Sequence, residues 1–132
     1  MAQQFDASVP SPARIWNYWV GGKDNLEADR AAAEAIREVV PYVGVVARLT
    51  RQFLIRAVTM LASDFGIRQF IDIGSGLPTV GNTHEVVQRV IPGARVVYVD
   101  NDRWWPSRAA GCSRETGRPG SSVPTCVNPR RY

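Results

Sequence analysis

The stretch Gln69-Phe70-Ile71-Asp72-Ile73-Gly74-Ser75-Gly76-Leu77-Pro78, followed about one helix later by Arg95-Val96-Val97-Tyr98-Val99-Asp100, decides the fold. Residues 69–73 are a short β-branched and aromatic run with the look of a buried strand. Residues 74–78 form a tight turn. A short helix is expected from about Thr83 to Ile91, closed by Pro92-Gly93, and residues 95–100 are the clearest strand in the chain. Strand, helix and strand of these lengths make the first βαβ unit of a parallel sheet, with a right-handed crossover.

Upstream of this unit the texture is helical. Asp24, with Glu27 three residues on, resembles a capping box that opens a helix running to about Val40. Its apolar stripe is Ala32, Ala33, Ile36, Val39 and Val40, and Pro41 stops it. A second helix over roughly 43–63 carries Val46, Phe53, Leu54, Ala57, Val58 and Leu61 at helical spacing and ends at Asp64-Phe65-Gly66. Ahead of both, residues 13–25 begin as a short aromatic turn of helix and break at Gly21-Gly22. Residues 1–12 read as a flexible lead-in.

At 132 residues the chain has room for one domain, and 45% apolar with 21% charged residues is ordinary for a soluble globular protein. No apolar run approaches the roughly 18 residues of a membrane span. The N-terminus shows neither the cationic nor the apolar part of a secretory signal, so a cytoplasmic location is expected. The net charge of +4 is unevenly placed. Residues 1–102 hold ten basic and eleven acidic side chains, whereas residues 103–132 hold six arginines against Glu115 alone. A basic patch spanning the whole protein, suited to nucleic acid, is therefore the wrong inference. That tail offers only Val123 and Val127 as aliphatic core candidates and no helical or strand periodicity, so it is expected to be disordered.

The turn after the first strand carries the most chemistry. Gly74 and Gly76 let the backbone come close to a ligand where a Cβ would clash, and the turn feeds a helix N-terminus. Asp100, at the end of the second strand, lies 24 residues beyond Gly76. In open α/β sheets that position faces the crevice beside the glycine turn, where a carboxylate accepts ribose hydroxyls. The pair describes a nucleoside-binding half-site. A dinucleotide fingerprint needs a third glycine or alanine where Thr79 stands, which weakens a nicotinamide-dependent oxidoreductase. Asp72, inside the first strand, points instead toward S-adenosylmethionine, whose cationic amino-acid tail it would help position.

The segments Arg14-Ile15-Trp16-Asn17-Tyr18-Trp19-Val20-Gly21-Gly22-Lys23-Asp24-Asn25, residues 68–79, Asn82-Thr83-His84-Glu85 and Val97-Tyr98-Val99-Asp100-Asn101-Asp102 resemble the actinobacterial S-adenosylmethionine-dependent methyltransferase family of the domain of unknown function 574 type. The resemblance covers roughly residues 10–102. It implies the N-terminal part of a class I, Rossmann-like methyltransferase sheet over residues 13–102, with the N-terminal helices capping the cofactor cleft. It also implies that Gly74, Ser75 and Gly76 approach the methionyl and ribose portions of the cofactor. Asp100 would hold the ribose hydroxyls, with Asn101 and Asp102 beside the adenine. Arg14, Asn17, Tyr18, Gly22 and Lys23 would close over the methionine end, Arg14 or Lys23 meeting its carboxylate. The methyl acceptor, the catalytic residues and the oligomeric state are left open.

Plainer roles compete at several positions. Trp16, Tyr18 and Trp19 suit packing, His84 suits an exposed or capping role in a first helical turn, and Cys112 and Cys126 lack a metal-ligand set. A second function class is a small binding module whose basic Arg/Trp tail contacts nucleic acid or a protein partner.

The family pattern breaks off at Asp102, where an apolar continuation beginning with proline is expected. With tryptophan's single codon, Arg103-Trp104-Trp105-Pro106 written as CGG TGG TGG CCN reads Pro-Val-Val-Ala one base earlier. Residues 103–132 are therefore expected to be a one-base frameshift product, leaving a truncated methyltransferase fragment. Resequencing the gene here is expected to show a long open methyltransferase-like continuation in the shifted frame; its lack contradicts the frameshift.

Overall fold

In the computed structural model of the chain, residues 6–77, 79 and 81–100 are described, together with the backbone of residues 125–127. The elements are α1 (Pro12–Trp19), α2 (Glu27–Val39), α3 (Val43–Ser63), β1 (Gln69–Ile73), α4 (Thr83–Val90), β2 (Arg95–Val99) and β3 (Thr125–Val127). The βαβ unit forms where the sequence places it. β1 and β2 pair in parallel from Gln69 opposite Arg95 to Ile73 opposite Val99, and α4 connects them. β3 pairs in parallel with the other edge of β2, Val97 facing Thr125. Three residues in a segment with so few apolar side chains gave no legible strand signal.

β1 departs from the expectation of a fully buried strand. Phe70 and Asp72 turn toward the helices, but Ile71 and Ile73 are 69% and 78% exposed. Period-2 alternation puts these two pairs on opposite faces, and α3 and α4 lie on only one of them. The core therefore sits between that face and the two helices, with Val87 and Val96 fully buried and Val58, Ala62, Val86 and Tyr98 around them. Full burial of a valine contributes about 1.5–3 kcal/mol.

The helix stripes also differ from expectation. On α3 the buried residues are Ala47, Val58 and Ala62, with Leu54 and Ile55 packed against the core, while Val46 and Phe53 are exposed. On α2 Ala33 is buried but Ile36, Val39 and Val40 are exposed. Among the described residues no helix is long and apolar enough to cross a membrane.

α2 starts at Glu27 rather than at Asp24. Its first-turn cap is Asp29, whose carboxylate reaches back to the Leu26 N–H at 2.8 Å. The same carboxylate accepts the Ser11 N–H at 2.8 Å and Arg14 Nε at 2.7 Å. Arg14 also donates to the Val9 carbonyl at 2.6 Å, so α1 is tied to the start of α2 through a buried ion pair. Burial opposes the charge on Asp29, yet the hydrogen bonds from Arg14, Ser11 and Leu26 outweigh it and hold the carboxyl below its ordinary value.

α4 is held to β2 by Tyr98. Its hydroxyl accepts the His84 backbone N–H at 2.9 Å and bonds His84 Nδ1 at 2.8 Å, the rings meeting edge to face at 5.7 Å. Burial pushes the Tyr98 phenol up to about 12, with the Asp72 carboxylate adding to the rise. Burial also holds the His84 imidazole below its ordinary value, against the attraction of Glu85. Tyr98 therefore keeps its proton, and its hydroxyl joins both the backbone and the ring of His84.

Two outcomes follow from these contacts. Asp29→Asn strands the Arg14 guanidinium in a buried site and is expected to cost about 3–5 kcal/mol in urea unfolding. A loss below about 1 kcal/mol, the range of an exposed pair, contradicts the buried pairing. Because His84 takes a proton more readily in the unfolded chain, the stability it contributes is complete above its unfolded value and is lost as pH falls below it. The thermal midpoint is thus expected to drop between about pH 7.5 and about pH 5.5, and to drop less in His84→Asn. Equal drops in the two proteins contradict this reading.

Candidate functional site

The polypeptide leaves β1 through two left-handed glycines, Gly74 at φ +70° and Gly76 at φ +66°. A side-chain-bearing residue would pay about 1–2 kcal/mol for either conformation. The turn they make folds back onto the end of β2. Gly74 N–H donates to the Val99 carbonyl at 2.7 Å, and Gly76 N–H donates to Asp100 Oδ2 at 2.7 Å. The glycine turn and the strand-end acid are thus one unit, held by a charge-assisted hydrogen bond to a buried carboxylate. Apart from the adjoining residues of the turn, no described atom lies within 4 Å of where a Cβ on Gly74 or Gly76 would stand. The turn thus keeps an open outer surface while Asp100 braces it from within.

Asp72 sits opposite Tyr98 in the strand register, on the helix side of the sheet. Its Oδ2 accepts the Thr83 hydroxyl at 2.6 Å, linking the middle of β1 to the first residue of α4. The loop between the glycine turn and α4 is knit together by Glu85, which accepts the Gly81 and Asn82 N–H groups through Oε2, both at 3.1 Å. Glu85 Oε1 accepts the Asn82 side-chain amide. Asn82 Oδ1 in turn accepts the Thr79 N–H at 2.9 Å and Arg51 Nη2 at 3.3 Å. Ile55 presses on the same loop, since a Cβ on Gly81 would stand 2.9 Å from its Cδ1.

The N-terminal residues named from the sequence are largely engaged with each other. Arg14 is 3% exposed and committed to Asp29 and Val9, so the pairing expected with a ligand carboxylate gives way to an internal ion pair. Asn17 is 1% exposed, and its Oδ1 accepts the Asp24 N–H and the Asn25 amide, both at 3.0 Å. Gly22 lies against it: a Cβ there would stand 2.3 Å from Asn17 Nδ2, so this glycine is required by close packing. The Tyr18 hydroxyl donates to Glu34 Oε1 at 2.8 Å, and that hydrogen bond to a carboxylate raises the phenol above its ordinary value. Trp16 and Trp19 meet edge to face at 6.1 Å, in keeping with a packing role. Lys23 lies on the surface.

The structure therefore brings Asp72, Gly74, Ser75, Gly76 and Asp100 to one end of the sheet and gives Arg14, Asn17, Tyr18 and Gly22 structural partners around α1. Asn101, Asp102, the tail arginines and the side chains of Cys112 and Cys126 lie outside the described residues. Four residues not singled out as binding residues from the sequence, Arg51, Asn82, Thr83 and Tyr98, frame the loop. Thr83 and Tyr98 fall on the inward face of α4 and β2, and period counting from Val87 and Val96 would have marked them.

Two solved structures and one family model are similar to this chain. The family model described as S-adenosyl methyltransferase matches residues 1–113, running past Asp102. The chain is similar to the crystal structure of a domain of unknown function 574 family protein from Streptomyces avermitilis MA-4680, at 39% identity and a TM-score of 0.84. That alignment covers 95% of this chain and 47% of the other. It is also similar to a candidate methyltransferase from Thermobifida fusca YX, at 43% identity and a TM-score of 0.81, over 93% of this chain and 44% of the other. The chain thus spans about half the length of these solved structures. No curated protein matches it. With the family model covering most of its residues and both solved structures sharing its fold, the chain belongs to the S-adenosyl methyltransferase family.

Proposed function

We infer that this chain supplies the cofactor half-site of an S-adenosylmethionine-dependent methyltransferase acting on a still unassigned acceptor. The observation that carries the reading is the 2.7 Å hydrogen bond from Gly76 N–H to Asp100 Oδ2, which sets an open glycine turn beside a strand-end carboxylate. The donor set fits the cofactor. Asp100 stands at the end of β2, where a carboxylate accepts the paired hydroxyls of a ribose. Gly74, Ser75 and Gly76 offer a surface on which no described atom stands in the way of a close ligand. Asp72, braced by Thr83, supplies negative charge beside the turn for an ammonium group. S-adenosylmethionine brings a methyl group on a sulfonium centre, open to in-line attack by a nucleophilic acceptor. The chain's own contribution is positional: the turn, Asp72 and Asp100 hold the donor in a fixed orientation, and orientation is a large share of the rate in such transfers.

Calorimetric titration of the chain with S-adenosylmethionine tests this directly. Saturable binding is expected, weakened about tenfold or more in Asp100→Ala. Asp100→Asn keeps an acceptor for Gly76 while losing the charge, and is expected to weaken binding with the fold retained. A folded chain that takes up no S-adenosylmethionine contradicts the proposal, as does unchanged affinity in both variants.

A further inference from the structure

α3 presents Ala47, Leu54, Ile55, Val58 and Ala62 inward, and helical spacing places Arg51 on that same stripe, four residues after Ala47 and four before Ile55. A guanidinium on the packed face of a helix costs free energy unless an anion meets it. None of the described carboxylates does. Glu85, in the first turn of α4, spends both oxygens on the amides of Gly81 and Asn82. Among the described residues Arg51 has one hydrogen bond, to the neutral Asn82 Oδ1 at 3.3 Å, and its buried Nε has no hydrogen-bond partner there. Asn82 Oδ1 is the same atom that takes the Thr79 N–H, so the guanidinium lies against the loop that continues the glycine turn. The end of α1 closes the same side of α3, with the Trp19 carbonyl accepting from Arg48 one turn earlier.

We propose that Arg51 is the receptor for the α-carboxylate of the cofactor's amino-acid end, a zwitterion whose ammonium falls to Asp72. This rests on the reading of the site given above and names a subsite within it. Arg51 and Asp72 are charges of opposite sign on α3 and β1, and they bond adjacent residues at the start of α4, Arg51 to Asn82 and Asp72 to Thr83. A planar guanidinium with an unused Nε–H suits a carboxylate, which accepts two parallel N–H bonds. Arg14, committed to Asp29, is not available for this role.

The test compares two ligands on the full chain: S-adenosylmethionine, and 5′-methylthioadenosine, which keeps the nucleoside and lacks the amino-acid end. Arg51→Gln is expected to weaken S-adenosylmethionine about 10- to 100-fold and to leave methylthioadenosine unchanged, which also shows that the nucleoside site is still folded. Arg51→Lys, with charge but no fork, is expected to recover part of the loss. Equal weakening of both ligands makes Arg51 a support of the loop and overturns the proposal. So does retention of full S-adenosylmethionine affinity in Arg51→Gln, or an unsubstituted chain that binds S-adenosylmethionine no more tightly than methylthioadenosine. An unsubstituted chain that binds neither ligand overturns this proposal together with the reading it rests on; the other contrary outcomes overturn the Arg51 assignment alone.

Discussion

The hydrogen bond between the Gly76 amide and the Asp100 carboxylate is the constraint on which the site depends, because it joins two segments that parallel pairing alone leaves independent. β1 and β2 fix the positions of Ile73 and Val99, but the backbone beyond each strand is free to diverge. Gly74 turns back because its N–H has the Val99 carbonyl to bond, and Gly76 turns because its N–H has Asp100. Both turns need left-handed backbone, which is why glycine stands at each. A carboxylate buried at the strand end is costly unless its oxygens are satisfied, so the brace stabilises Asp100 and the turn together. The proposed binding surface and the local fold in this way rest on the same contact.

Around that centre the charged side chains divide by function. Arg14 and Asp29 neutralise each other between α1 and α2, and Tyr18 with Glu34 repeats the connection farther along the same pair of helices. These contacts fix the N-terminal helices to one another. Asp72 and Thr83 tie α4 to β1, while Tyr98 and His84 tie it to β2. Arg51 differs: it is a cation on an inward face whose one hydrogen-bonding partner among the described residues is a neutral amide.

The βαβ unit was legible because two periodicities and two breakers agreed: β-branched runs at 69–73 and 95–99, a helical segment between them, and the glycines and prolines that separate them. The pairing of Gly76 with Asp100 was legible for the same reason, since topology puts the ends of adjacent parallel strands side by side. Less was legible where several assignments satisfied one pattern. Of the α3 stripe read from the sequence, Val58 is buried and Leu54 packs on the core, but Val46 and Phe53 are large, apolar and exposed, whereas small Ala47 and Ala62 face inward. Arg14 looked like a ligand cation because nothing local in the sequence reveals that Asp29, fifteen residues on, meets it. The short pairing of β3 had no pattern to announce it. Ile71 and Ile73 suggested burial on both faces, yet this face of β1 is exposed in a chain that spans about half the length of the solved structures it resembles.

The central claim is that the glycine turn, its loop and the strand-end acid bind as one unit. Backbone amide chemical-shift mapping during titration with S-adenosylhomocysteine, the product form of the cofactor, tests it most directly. The largest shifts are expected to concentrate at Gly74, Ser75, Gly76, Asp100 and the Thr79–Asn82 loop, saturating together at one affinity. Shifts confined to the arginines of residues 103–132, or a folded chain with no saturable change at Gly76, would contradict it.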